Sequence, residues 1–393
     1  MRHPSEYDWR TIGALNAVSA LAQVGQFGIS FVLLPVWLAQ QGLDASQLGM
    51  FAASLWLGQL PGLGVAPWLC RRLGPRWVVV SGLLCTVIAL AWIALAEWPF
   101  WLLGGTLAGF GLGLRWIGLE PWLYRIAPAE ARGRLVGFHE TLIALAPIIA
   151  PLLASYYGLN GSAVFWIGAT FTCGAMLPLA FARADSDELT TRHIHGAQLS
   201  PLISLRERIF KQGVVIALVG GMTEAAVSGL FALFTQGRGM SISQTADLLA
   251  VFGLGGLLMQ YGVGWLADRR GVGAAALSCA AGTAMVSLAL LLPLSYAMVM
   301  VAVFLLGGFI TALLTLALIA STTTPAGNIA SNVSLISMLY TVSAVAGPLV
   351  AGAMMKATYG DALMWFTAAA ATIMACGVGW VSMSTMQPIV ESK

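Results

Sequence analysis

Pro67-Trp68-Leu69-Cys70-Arg71-Arg72-Leu73-Gly74 and Gly264-Trp265-Leu266-Ala267-Asp268-Arg269-Arg270-Gly271 are one phrase written twice, 197 residues apart. Each copy closes an apolar run on a tryptophan, a pair of arginines and a glycine. The same offset lays Gly42-Leu43…Ser46-Gln47 on Gly239-Met240…Ser243-Gln244. An offset of 201 lays Ala146-Pro147…Ala150 on Gly347-Pro348…Ala351. Three matches in chain order at nearly one offset mark an internal duplication, and the unit duplicated is read from the segments between them.

Those segments are apolar. The chain is 59% hydrophobic and 9% charged, with 45 glycines and 14 tryptophans. A soluble domain carries about 25% charged residues, so the composition makes lipid the solvent. Runs of roughly 20 apolar residues, each enough for a ~30 Å hydrocarbon core, predict helices over 11–38, 47–69, 77–96, 100–126, 135–157 and 162–183, then 213–235, 244–267, 274–293, 297–322, 331–356 and 362–384. Backbone facing lipid must satisfy itself. The expected fold is therefore all-α, with twelve transmembrane helices in two pseudo-symmetric six-helix bundles, 1–183 and 213–393. A polar stretch over 184–212, expected at the cytoplasmic face, joins them. Its Leu202–Phe210 segment alternates apolar and charged residues and predicts a short surface helix. His193 and His195 lie in the same stretch, and two histidines without further ligands read as a solvated loop rather than a metal site.

Of the nineteen basic residues, all but Arg115, Arg238 and Lys356 fall on the side of the N-terminus. By the positive-inside rule both termini are expected in the cytoplasm, in an inner membrane. Arg2, Glu6, Asp8 and Arg10 precede an apolar stretch too long for a signal-peptide core, so the first helix is expected to stay. Cys70, Cys85, Cys173, Cys279 and Cys376 stand singly and read as packing residues. A net charge of +3 gives no reason to expect nucleic acid.

The 264–271 phrase resembles the loop signature of the major facilitator superfamily, and Ala146-Pro147 and Gly347-Pro348 resemble that superfamily's helix 5 and helix 11 motif. Pro35-Val-Trp-Leu-Ala-Gln, Glu120-Pro-Trp-Leu, Arg132-Gly-Arg134 and Leu339-Tyr-Thr-Val-Ser…Gly347-Pro348 are similar to the YcaD-like branch of bacterial transporters. The resemblance implies the twelve-helix fold and transport by rocking one half against the other around a midplane site. It also implies gating loops, in which Asp268 and Arg269 hold the outward-open state at a helix end. Arg71 stands where most relatives carry an acid, and with Arg72 it reads equally as a gate or as a topology determinant. The Ala146-Pro147…Ala150 segment resembles one common in exporters, with alanines for glycines, and inclines the reading toward efflux.

Ionisable residues inside apolar spans are costly and usually face a partner or an aqueous cavity. Here they are Arg115, Glu120, His139, Glu140 and Glu224. The turn between helices 4 and 5 centres near Glu130, so Glu120 and Glu140 should lie at similar depth, with Arg115 about 7–8 Å deeper at ~1.5 Å per residue. Two carboxylates, a histidine and an arginine in one region suit proton exchange or substrate contact. A fixed Arg115–Glu120 pair or a snorkelling Glu120 is the alternative. Glu120 matches an acid of the YcaD-like pattern, whereas Arg115, His139 and Glu140 depart from it. Glu224, with Ser228 and Thr235 on one face, reads as a site for a cation or proton, or as a structural acid. Asn16, Ser19, Gln23, Gln26 and Ser30, at offsets 0, 3, 7, 10 and 14, form one helix face expected to line a cavity. Ser334, Ser337 and Thr341, with Tyr340 beside them, repeat that spacing. Trp56, Gln59, Trp116 and Gln260 are further cavity candidates.

No Walker A loop, HExxH or GxSxG is present, so neither ATP-driven transport nor an enzyme is expected, and no cofactor. The function expected is secondary transport of a small organic solute, coupled to protons, by a monomer in the bilayer. A proton-coupled importer of a metabolite or metal chelate is the alternative; a channel or membrane-embedded enzyme would need features the chain lacks.

Overall fold

In the computed structural model, residues 8–128, 131–158, 161–183, 204–324 and 329–384 are described. Among them are twelve helices long and apolar enough to cross a membrane. They are α1 Trp9–Gln40, α2 Ala45–Leu73, α3 Pro75–Leu95, α4 Trp101–Ile126, α5 Arg134–Tyr157 and α6 Ala163–Phe181 in the first half. The second half holds α7 Arg208–Gly237, α8 Ile242–Arg270, α9 Val272–Ala289, α10 Tyr296–Thr323, α11 Ser331–Ala357 and α12 Ala362–Met383. The protein is a multi-pass membrane protein. His193, His195 and most of the joining stretch lie outside the described residues. The surface helix expected over Leu202–Phe210 does not form in its described part. Ser204–Arg206 make a single 3-10 turn that leads directly into α7, whose first turn buries Phe210.

The duplicated phrases are helix punctuation. Asp44 and Gln47 form a capping box that starts α2, and Ser241 and Gln244 form the same box at the start of α8. Gly74 and Gly271, both at φ +83°, end these helices in the left-handed conformation that glycine adopts without strain. Arg72 lies over the Trp68 ring at 5.8 Å and Arg269 over Trp265 at 4.2 Å. Helix crossings repeat as well. A Cβ at Gly58 would strike the Thr106 carbonyl and one at Gly109 the Leu55 carbonyl. In the second half Gly255 meets Phe304 and Gly307 meets Phe252 in the same way. Backbone-to-backbone packing of this kind needs glycine at the crossing.

Among the described residues the buried core is shared between the halves at one end. At the end opposite the termini a single apolar core runs through both, with Phe31, Trp56, Phe231, Leu249 and Ala351 among its members. Toward the terminal end the core splits into clusters that stay within one half. The seam at the opposite end is close-packed: Gly49 of α2 lies on the Pro348 carbonyl of α11, and Gly253 of α8 on the Pro147 carbonyl of α5. The motif prolines thus sit in the two cross-half contacts. Lys356 Nζ to Asp44 Oδ2 at 2.9 Å and Ser155 Oγ to Ser243 Oγ at 2.9 Å also bridge the halves there. The Lys356 ammonium and the Gln47 backbone N–H hold the Asp44 carboxyl below the usual carboxylate range. Asp44 therefore supports the seam above the ordinary aspartate value and ceases to do so as pH falls through its lowered one.

Candidate functional site

Between the halves, from mid-membrane toward the terminal end, lies a cavity of about 290 Å³. Gln23, Phe27, Trp56, Gln59, Leu63, Leu112, Trp116 and Ile117 line it from the first half, and Glu224, Leu314, Leu318, Ser337, Tyr340 and Thr341 from the second. Both bundles supply polar groups to an otherwise apolar wall. Eight of the expected cavity residues are here: Gln23, Trp56, Gln59, Trp116, Glu224, Ser337, Tyr340 and Thr341.

Asn16, Ser19, Gln26, Ser30, Ser228 and Gln260 do not line it. For Gln26 and Ser30 the cause is a π-helical stretch over Val24–Leu33, whose wider turns break the 3.6-residue stripe. Gln26 turns toward α3 and α4, Ser30 Oγ returns to the Gly25 carbonyl at 3.5 Å, and Asn16 and Ser19 are buried nearer the terminal end. Ser228 Oγ donates to the Glu224 carbonyl at 2.7 Å, and Gln260 sits half-buried on α8 outside the lining.

The arginine of α4 is set by amide orientation. Gln26 Nε2 donates to Thr86 Oγ1 at 2.7 Å and to the Gly82 carbonyl at 3.2 Å, so its Oε1 faces Arg115 and accepts from Nε at 2.6 Å. Gln23 Oε1 accepts from Arg115 Nη2. The side chain is 1% exposed, and Nη1 has no hydrogen-bond partner. Among the described residues no carboxylate lies within ion-pairing distance of it. The alternative reading of a fixed Arg115–Glu120 pair is not met: five residues apart on a helix, the two side chains point about 140° apart.

Glu120 instead faces His139 of α5, Oε1 to Nε2 at 3.9 Å. His139 is fully buried. Its Nδ1 lies 3.1 Å from Asn16 Oδ1, while Asn16 Nδ2 donates to the Ile12 carbonyl at 2.9 Å. The Asn16 oxygen can only accept, so His139 Nδ1 carries a hydrogen and the neutral ring offers Nε2 to Glu120 as an acceptor. At 3.9 Å the two are not hydrogen-bonded, and among the described residues Nε2 has no hydrogen-bond partner. Glu140, next in the chain, points away, is exposed, and accepts from Tyr124 Oη at 3.0 Å. Tyr124 packs edge-on against His139 at 6.0 Å between centroids. The four ionisable groups of the hairpin thus divide into Arg115 behind the cavity wall and Glu120, His139 and Glu140 nearer the terminal end.

Across the cavity Tyr340 Oη donates to Glu224 Oε2. Gly220 and Gly221 leave the room on α7 that the Tyr340 ring and carbonyl occupy. The residues expected to gate, Arg71, Arg72, Asp268 and Arg269, are all exposed at the terminal end, and Asp268 makes no ion pair among the described residues. Thr86 and Tyr124 were not anticipated. A lone threonine in an apolar helix carries no signal, whereas Tyr124 lies one turn beyond Glu120 on the same face.

The Major Facilitator Superfamily profile matches residues 15–348. An "Uncharacterized MFS-type transporter YcaD" of Salmonella heidelberg (strain SL476) is 26% identical over 230 residues, 58% of this chain and 58% of its own length. The match thus spans little more than half of that relative. Among solved structures, the fold is similar to nucleoside transporter NupG, with TM-score 0.81 and 12% identity over 94% of this chain and 99% of that one. It is also similar to a D-xylose-proton symporter, with TM-score 0.74 and 16% identity over 94% and 97%. Twelve helices in two matching halves, a cavity walled by both and a profile spanning both place this chain in the Major Facilitator Superfamily of membrane transporters.

Proposed function

We propose that the protein is a secondary transporter of the inner membrane that moves a small organic solute by alternating access, coupled to proton movement through Glu120 and His139. The observation that carries this reading is a cavity between halves that share one core at the end opposite the termini and separate cores at the terminal end. Rocking about such a site exchanges which end is closed. With the basic terminal end in the cytoplasm, the described state faces inward. One chain encloses the whole cavity, so a monomer suffices.

Proton and solute occupy different places in this scheme. Glu120 and His139 do not line the cavity, so a solute does not reach them. A proton exchanged between a carboxylate and an imidazole needs only a path of exchangeable groups, and Tyr124 and Glu140 continue that path toward the terminal end. Export against proton entry is the direction favoured, on the resemblance of the Ala146-Pro147…Ala150 segment; here the Ala146 carbonyl and Ala150 methyl pack on Gly28 and tie α5 to α1.

The test is solute-driven proton flux in proteoliposomes containing a pH-sensitive dye, using solutes found by a thermal-shift panel. Glu120→Gln and His139→Gln, made singly, are expected to reduce proton flux to background while solute-for-solute exchange continues. Unchanged proton flux in both variants rejects the coupling role.

A further inference from the structure

The second half puts a carboxyl group, Glu224, into the cavity lining, and the first half holds a guanidinium, Arg115, just behind its wall. Among the described residues the Glu224 carboxyl has one neutral partner, Tyr340, on Oε2, and Oε1 has no hydrogen bond. Arg115 has two neutral partners, Gln23 and Gln26, and a spare guanidinium nitrogen. Among the described residues neither charge is in an ion pair. Gln23 relays the arginine to the cavity: its Oε1 is engaged by the guanidinium, its Nε2 has no partner among the described residues, and its side chain is part of the lining. The first half therefore presents a donor backed by a cation, and the second half presents an anionic acceptor. The wall between them is apolar and aromatic, with Phe27, Trp56 and Trp116.

Buried charges without partners are costly in a membrane and call for compensation by whatever occupies the site. A purely cationic solute leaves Arg115 uncompensated, and a purely anionic one meets Glu224. A neutral solute leaves both unpaired. We propose that the transported solute is a small zwitterion with an apolar or aromatic body, its anionic group at Gln23, which Arg115 backs, and its cationic group at Glu224 and Tyr340. Because it is held from both sides, it draws the halves together, which is what a rocking transporter requires of its substrate. The assignment rests on the transporter reading above and adds the class of solute to it.

The experiment uses the tryptophans of the lining as reporters. Purified protein is titrated with phenylalanine, its methyl ester, its N-acetyl derivative and the doubly blocked N-acetyl methyl ester, which share one body and differ in charge. Phenylalanine is expected to change the fluorescence with an affinity at least about thirtyfold above each of the others. Glu224→Gln should bring phenylalanine and its N-acetyl derivative to equal affinity, and Arg115→Gln should do so for phenylalanine and its methyl ester. If Arg115→Gln does not fold, Gln23→Glu serves, since it supplies the arginine with an internal anion and should make the methyl ester the preferred probe. Equal binding of the doubly blocked compound, or no binding by any of the four, overturns the zwitterion assignment. The two readings separate in proteoliposomes: counterflow of a solute lacking one of the two charges retains the transporter and discards the zwitterion, whereas counterflow of no solute from the panel discards both.

Discussion

A disulfide joining positions 155 and 243 is expected to stop transport completely and reversibly. The two serine hydroxyl oxygens lie 2.9 Å apart, one at the end of α5 and the other at the start of α8. Cysteines there need only a small adjustment to reach the ~2 Å of a disulfide. The contact crosses between halves at the closed end, so a covalent bond fixes the cavity facing the terminal end. Ser155→Cys with Ser243→Cys, in a chain whose cysteines at 70, 85, 173, 279 and 376 are replaced, should lose counterflow to background when oxidised and recover it with reductant. Either single cysteine should transport normally. Counterflow that survives complete cross-linking would mean that the solute does not pass between the halves.

The second large effect concerns the helix crossings inside each half. Gly58→Ala and Gly255→Ala should each destabilise the protein by about 3 kcal/mol or more, the upper part of the range for overpacked sites. The added methyl meets a backbone carbonyl, of Thr106 in one half and of Phe304 in the other. A carbonyl within a helix cannot swing aside as a side chain can, so α2 must part from α4, or α8 from α10. Gly64→Ala and Gly262→Ala are the controls on the same two helices. Nothing lies within 4 Å of a Cβ at either site, and the change should be neutral or gain up to ~1 kcal/mol from helix propensity. Thermal unfolding in detergent measures all four. Equal melting temperatures across the set would contradict the close crossings, and a loss in one half alone would contradict their equivalence.

These predictions indicate which parts of the molecule were legible before the structure. The twelve spans were, because apolar length is a strong physical requirement in lipid. The halves were too, because the matches around Gly42 and Gly74 are capping boxes and left-handed glycines, where backbone geometry dictates residue type. The ionisable residues of the site stood out by their cost. Counting ten residues to either side of the hairpin turn put Glu120 and Glu140 at one depth, but depth does not give direction. His139 and Glu140 are neighbours in sequence, yet one is buried against α1 and the other exposed. The α1 stripe misled for a physical reason: regular 3.6-residue spacing fails across Val24–Leu33, and the displaced Gln26 became the acceptor that orients Arg115. A π-helical stretch has no sequence signature comparable to a cap, so the arginine's amide partners could not be read from spacing, whereas its separation from Glu120 follows from five residues of helix.

Alternating access requires the halves to move as bodies about the cavity, and paired spin labels read that motion. One pair, at Trp77 of α3 and Leu277 of α9, reports the terminal end; the other, at Tyr157 of α5 and Ile242 of α8, reports the opposite end. All four side chains are exposed. The distance across the terminal end should shorten, and that across the opposite end lengthen, in the same fraction of molecules when a transported solute and a proton gradient are supplied. Two distances that stay fixed while solute continues to cross would contradict alternating access in this protein.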